Sequence, residues 1–268
     1  ATGLEGMSTT KLEVPRLVLL QATSPELDKY DGLKKGMYFH SIRKEGVQAP
    51  VTVIPVYMRE SFLLWTPRPD GTGIISTSTD LKTWSPYGMP LEIHPSKDNP
   101  KYTLKMVLPR SVKESGLTEF GTSDPTNTQS LPVATYTVEV MVVMPELKHW
   151  GVSVITFQRS SAKIGTSWFS DLWTAAQGTE YNAPLPAFSR RFNLGSTTVE
   201  KKAGEAFVLP TITNAGIVVD EKEFNWAASF CKRFITMKDK LQVVGEASEE
   251  ATDWVPAPTM TTKDGRKI

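Results

Sequence analysis

Two stretches rich in β-branched residues, 134–144 and 151–159, flank the turn-forming segment Pro145–Trp150. Two such runs separated by a short polar turn predict an antiparallel hairpin. Side chains alternate along a strand, so Phe157 and Arg159 share one face of the second arm. One face can therefore contribute to a core while the other carries a site.

Apolar residues spaced three and four apart predict two helices. The first begins after Ser160–Ser161, which offers an N-cap, and closes near Gly178. The second begins at Asp220, which forms a D-x-x-E capping signal with Glu223, and runs to about Gln242. The apolar positions are Ile164, Trp168, Leu172 and Ala175 in the first helix, and Phe224, Ala227, Ala228, Cys231, Phe234 and Ile235 in the second.

The rest of the chain is dominated by short strand-like runs. Val51–Trp65 is either one long strand with a bulge or bend at Pro55, or two strands joined near Arg59–Glu60, because a proline has no amide to donate inside a sheet. Segment 109–131 has no periodic apolar pattern and is predicted to be a solvated surface loop, although loops of this length are often functional or disordered. Further strands are expected at 16–21, 37–42, 73–77 and 102–108 and as a pair within 184–210, with turns or loops at 24–35, 43–48, 70–73 and 79–99.

We therefore predict a mainly β (α+β) chain. The expected architecture is an OB-like, partly closed antiparallel barrel of five or more strands, elaborated with hairpins and two helices. The predicted organisation is an irregular N-terminal arm at 1–14, a single β-rich domain at 15–244 and a polar C-terminal tail at 245–268.

Several classes of site and protein are disfavoured by composition. The single Cys231 cannot form an internal disulfide or a multi-cysteine zinc site, and the three histidines are isolated. No phosphate-binding P-loop, dinucleotide fingerprint or G-x-S-x-G elbow is present. No run approaches the roughly 18 apolar residues of a membrane span, and Ala1–Lys11 lacks the core of a signal peptide, so a cytoplasmic protein without membrane contact is expected. We expect no metal and no cofactor.

Cations and aromatic rings occur together in two places, although the net charge of the whole chain is only +1. Between residues 147 and 195 five cations oppose two carboxylates. Unpaired nucleic acid needs cations along its phosphates and exposed rings under its bases. The candidate phosphate contacts are Arg159, Lys163, Arg190 and Arg191, and the candidate stacking rings are Phe157, Trp168, Trp65 and Tyr57. For each ring a place in the core is the competing interpretation, and for the arginine pair a solvated strand edge or an internal ion pair.

Three segments resemble a family of phage-encoded single-stranded DNA-binding proteins of the replication and recombination type. They are Pro15–Gln21, Glu119–Pro125 and Val152–Trp168. The resemblance implies an OB-like barrel that binds single-stranded DNA and works in the host cytoplasm.

The sequence thus predicts non-catalytic, sequence-nonspecific binding of single-stranded DNA in phage replication or recombination. Single-stranded DNA is the expected partner, together with self-association or contacts with replication proteins. One alternative is a phage virion component of the capsid or tail, because β-rich chains with long polar loops and near-neutral charge also build such assemblies. The other is an enzyme whose site forms only in the fold.

Overall fold

A 15-residue strand, β4, organises the fold. In the computed structural model, which describes residues 14–66, 73–96, 99–174, 185–200 and 206–237, β4 runs without interruption from Val51 to Trp65. Its pairing register shifts between Pro55 and Tyr57, so the sequence prediction of one long strand with a bulge at Pro55 is confirmed. The bulge is expected there because Pro55 cannot donate to a neighbouring strand.

The described residues form eleven strands in three antiparallel sheets. The strands are β1 (Leu17–Leu19), β2 (Tyr38–His40), β3 (Glu45–Val47), β4 (Val51–Trp65), β5 (Ile74–Ser78), β6 (Pro90–Ile93), β7 (Leu104–Val107), β8 (Ala134–Val143), β9 (Val152–Gln158), β10 (Arg190–Glu200) and β11 (Ala206–Ile217). The central sheet has the order β11–β10–β4–β8–β9, and β5 pairs with the end of β4. The strands β1, β2 and β3 form a second sheet, and β6 with β7 forms a two-stranded ribbon.

Four α-helices accompany the strands in this part of the chain: α1 (Glu26–Lys29), α2 (Val112–Ser115), α3 (Ala162–Thr174) and α4 (Glu221–Met237). The two long ones, α3 and α4, are the helices predicted from apolar periodicity. In α3 the predicted face is confirmed, since Trp168 is buried and Ile164 and Leu172 pack against the same core. In α4 the Asp220 carboxylate accepts from the amide of Lys222 at 2.9 Å, as an N-cap does.

The mainly β class is confirmed, whereas the closed or partly closed barrel is not. Among the described residues the three sheets have separate strand ladders, and the isolated parallel bridge between Arg16 and Val154 links the β1 region to the central sheet. The OB-like architecture therefore stays a prediction. The predicted arm is represented by Val14 alone, and the remainder of the arm, the tail from 245, the turn residues 70–72, Ala175, Gly178 and the end of the second helix at Gln242 lie outside the described residues.

Two short strands were wrongly predicted as turn or loop. Strand β3 has the sequence Glu-Gly-Val, and β6 begins with Pro90 and is only four residues long. Neither segment has a strand pattern in its own sequence. Each becomes a strand by pairing with a neighbour, β3 with β2 and β6 with β7. The predicted solvated loop at 109–131 also differs from the structure, since it contains α2 and buries Val112 and Leu117 in a third core cluster around Trp84.

The central sheet is covered on both faces. On one face α3 closes a core that contains Phe157, Trp168 and Phe192. On the other face α4 packs Ala227 and Phe234 against a second core, with Tyr57 beside them. Burial of apolar area at about 25 cal/mol per Å² makes these two layers the main source of stability.

Gly165 sets how closely α3 approaches the sheet. A Cβ atom at this position would lie 2.9 Å from the Cβ atoms of both Phe157 and Val138. We expect Gly165→Val to lower the free energy of unfolding by about 1–3 kcal/mol, because the helix must move outward to admit the side chain. Urea unfolding measures the loss, and Ser167→Val on the exposed side of the same helix is the control. An equal loss in both variants would show that packing at Gly165 is not the cause.

Candidate nucleic-acid interface

A cleft of about 1610 Å³ opens beside the edge of the central sheet. Its walls are formed mainly by the region around β1, the end of β9 with the first turn of the following helix, the loop 118–133 with the start of β8, and the beginning of β11, and Trp65 at the end of β4 adds to them. The cleft therefore joins segments that are far apart in sequence, and it includes parts of all three segments that carry the family resemblance.

Gln21 ties two of these walls together. Its side-chain amide donates to the carbonyl oxygen of Val208 at 2.9 Å, and its side-chain oxygen accepts from the Val208 amide at 2.8 Å. A side chain that satisfies both backbone groups of an edge residue replaces a neighbouring strand at that point. The wall between β1 and β11 is consequently fixed.

Arg159 stands at the junction of β9 and α3 and lines the cleft with an exposed side chain. Its φ of 50° is in the left-handed region, which is uncommon for a residue other than glycine. The turn is held by Ser161, whose hydroxyl accepts from the Gln158 amide at 2.9 Å as part of a capping box. The backbone thus pays a conformational cost at the residue that brings a guanidinium to the cleft.

The helical segment that starts at Arg159 also begins in the cleft, since Ser160, Ser161 and Ala162 line it. The first turn of a helix carries the positive end of the helix dipole, although the Ser161 amide here already donates to the Gln158 side chain. Together with Arg159, this end of the cleft suits an anion such as a phosphate group.

The loop 118–133 supplies a polar wall and one exposed ring. Phe120 is 66% exposed, and Asn127 and Gln129 add amide groups. Asp124 is held by the Thr126 hydroxyl at 2.7 Å and the Asn99 side chain at 3.1 Å, and these hydrogen bonds keep the pKa of its carboxyl below the usual range. Asp124 is therefore ionised at neutral pH and orders the loop.

Tyr136 adds a second ring to the walls. Its hydroxyl donates to the carboxylate of Glu60. Burial and this hydrogen bond raise the pKa of Tyr136 to about 12, so the ring is uncharged at neutral pH. The charged lining residues are Arg16, Arg159 and Asp124, and the local balance is positive by one.

Three of the eight predicted site residues line this cleft: Trp65, Phe157 and Arg159. Trp65 is half-buried and Arg159 exposed, as a contact to nucleic acid requires. Lys163 is exposed one turn into the helix, outside the described cleft lining.

The predicted stacking roles of Phe157 and Trp168 are wrong. Their exposed fractions are 0% and 1%, and the two rings meet edge to face with centroids 6.1 Å apart. Trp168 also packs edge to face on Phe192. Rings enclosed in this way have no free face for a base, so the core interpretation is the correct one for both.

Tyr57 and the arginine pair lie outside the described cleft lining. Tyr57 is half-buried and stacks on Phe234 of α4, with centroids 6.1 Å apart. Arg190 lines a small cavity with Asp171 of α3, whereas Arg191 pairs with Glu223 of α4 at 2.8 Å. These two guanidinium groups face different helices, α3 for Arg190 and α4 for Arg191, so they do not act together, and both lie outside the described cleft lining.

We expect Arg191→Ala to lower the free energy of unfolding by about 1–3 kcal/mol without changing affinity for nucleic acid. The reason is that the Glu223 carboxylate is largely buried and loses its charged partner. Thermal unfolding and an oligonucleotide titration measure the two effects, and Lys222→Ala on the exposed side of α4 removes the same charge as a control. Lost affinity at unchanged stability would instead place Arg191 in the binding site.

Sequence reasoning missed Arg16, Phe120 and Tyr136. Arg16 and Phe120 lie inside segments that carried the family resemblance, which was the available signal. Tyr136 lies in the predicted hairpin, but only the fold shows that its ring faces a cleft. Among the described residues, no group of three or more His, Cys, Asp or Glu side chains is placed to hold a metal ion. None of their helices combines the length and apolar character that a membrane crossing needs.

A family model described as Pam3 phage gp34-like protein matches residues 1–240 of the chain. No curated protein and no solved structure matches it significantly.

Proposed function

We propose that this chain, which belongs to the Pam3 phage gp34-like protein family and is a phage protein, binds single-stranded DNA along the cleft during phage replication or recombination. The observation that carries the proposal is the cleft itself, in which Arg159 and a helix N-terminus adjoin the exposed ring of Phe120 and the half-buried rings of Trp65 and Tyr136. Cations for phosphates and rings for bases are the two elements that sequence-nonspecific binding requires. The protein would protect or present the strand in the host cytoplasm without chemistry of its own.

The lining fits a single strand better than a duplex. Phe120, Tyr136 and Trp65 can offer ring faces only to unpaired bases, because paired bases are stacked on one another. The side-chain amides of Asn127 and Gln129 can form hydrogen bonds with base edges or sugars. Two arginines in a nearly neutral chain indicate modest affinity rather than the tight hold of a strongly basic groove.

The experiment is a titration of fluorescently labelled oligo-dT of about 16 nucleotides with the whole chain. We expect binding accompanied by quenching of tryptophan fluorescence, and a loss of affinity of about 7-fold between about 50 mM and about 200 mM salt if two phosphates are neutralised. Duplex DNA and heparin are the comparisons. Absence of binding at the lower salt concentration, or equal affinity for heparin, would refute the proposal.

A virion component is the second candidate. Strand β11 forms one edge of the central sheet, and at its end Ile217 and Val219 are large apolar side chains exposed to solvent. Exposed apolar side chains at a sheet edge favour contact with another chain. This candidate predicts concentration-dependent assembly in analytical ultracentrifugation and recovery of the protein in purified particles, with no affinity for oligo-dT.

A further inference from the structure

We propose that Phe169 and Trp173 form a stacking platform on α3 that receives the bases of a single strand where it leaves the cleft. This inference rests on the proposed function and adds a second part to the binding site. Trp168, the neighbour of Phe169 that the sequence predicted as a stacking ring, is buried.

The two rings are exposed and arranged in parallel. Phe169 is 45% and Trp173 55% exposed, although large aromatic side chains are mostly buried. Their centroids are 6.5 Å apart and their planes differ by 20°. A spacing of four residues places them on one face of the helix, so together they form a flat row of ring surface.

This face begins at the cleft. Ala162, Thr166, Phe169 and Trp173 follow one another at intervals of four, three and four residues, which is one line along a helix. Ala162 lines the cleft, and the Thr166 side chain reaches the hydroxyl of Tyr136, whose ring is part of the cleft wall. From Ala162 to Trp173 the line extends about 16 Å at 1.5 Å per residue. A strand that passes Arg159 and Tyr136 therefore meets the platform next.

The distribution of charge around the platform is compatible with the binding of bases. The only acidic residue of α3, Asp171, is two residues beyond Phe169 and thus on another side of the helix. Arg159 lies at the cleft end of the same helical segment. An uncharged aromatic row that continues from a cationic turn matches the alternation of bases and phosphates in a strand.

The platform is too small to serve as the contact of a stable dimer. Two aromatic side chains bury about 150–250 Å² each when fully covered, whereas a stable interface buries about 1,200–2,000 Å² in total. A second copy of the chain is therefore the less suitable occupant, and it becomes an outcome of the test.

The test compares a short oligo-dT of about 6 nucleotides, which fits within the cleft, with one of about 16 nucleotides, which reaches the platform. The variant is Phe169→Ala/Trp173→Ala, and both side chains are exposed, so the fold is retained and circular dichroism confirms it. We expect at least about fivefold weaker binding of the long strand, the lower end of the effect of one stacked base, and unchanged binding of the short one. Phe169→Tyr/Trp173→Phe should restore the long-strand affinity, and Tyr87→Ala, an exposed ring outside the described cleft lining, should leave it unchanged.

The outcomes separate the two proposals. If the wild-type chain binds both strands and the double alanine variant binds them equally well, the platform is refuted and the cleft stands. If the variant loses affinity for both strands alike, the rings do not act as an extension and the inference also fails. A wild-type chain that binds neither strand refutes the proposed function and the platform with it. An oligomer that the variant dissociates, at unchanged affinity per chain, assigns the rings to a second copy.

Discussion

Replacing Arg159 with asparagine is expected to weaken the binding of oligo-dT by about 10- to 150-fold while the melting temperature stays unchanged. A hydrogen bond from a charged donor contributes about 1.5–3 kcal/mol, which gives this range of affinities. Asparagine accepts the left-handed backbone conformation found at this position, so the variant removes the guanidinium without adding strain. Fluorescence anisotropy at two salt concentrations measures the loss.

Lys163→Gln is the matched control for Arg159→Asn. It removes one positive charge from the same helical segment, but Lys163 is outside the described cleft lining. The loss of one phosphate contact should also make the salt dependence shallower by about 0.7 in the logarithmic slope for Arg159→Asn alone. If both variants weaken binding equally and with the same slope, the general charge of this end of the molecule binds the strand and the cleft geometry is irrelevant.

The elements that the sequence predicted correctly are those that carry their signal locally. The hairpin of β8 and β9 was visible from β-branched runs around a turn, and α3 and α4 from apolar residues three and four apart. The bulge at Pro55 followed from one missing amide. By contrast, β3 and β6 exist because of their partners, and no pattern of three or four residues encodes a partner.

The candidate site was predictable only in part, because burial is a property of the whole fold. Phe157, Trp168 and Phe169 are equally aromatic in sequence, yet Phe157 and Trp168 are buried in the core whereas Phe169 is exposed to solvent. The periodicity of α3 did contain this information, since Trp168 belongs to its apolar repeat and Phe169 does not. Alternation along β10 cannot place Arg190 and Arg191, because the register shifts between Arg190 and Phe192, and the pairing of Arg191 with Glu223 needs the position of α4.

Arg59 shows why a cation beside aromatic residues is a weak signal. It lies between Tyr57 and Trp65 in sequence, but in the fold it stands directly opposite Glu139 on the neighbouring strand. The guanidinium donates to the carboxylate at 2.5 Å, and the side chains are 11% and 4% exposed. This arginine therefore neutralises a carboxylate inside the sheet.

Glu139→Met is expected to lower the free energy of unfolding by roughly 3–5 kcal/mol, the largest effect on stability that we predict. The variant replaces the Glu139 carboxylate that the nearly buried guanidinium of Arg59 faces by an apolar side chain, so the cost of removing that charge from water is offset less. Urea unfolding monitored by circular dichroism gives the difference. The matched variant is Arg59→Met/Glu139→Met, which should recover most of the loss because two methionines fill the space without a charge. If Glu139→Met lowers the free energy of unfolding by less than about 1 kcal/mol, water screens the pair as it does at a protein surface. The polar pair between β4 and β8 would then not be part of the buried sheet.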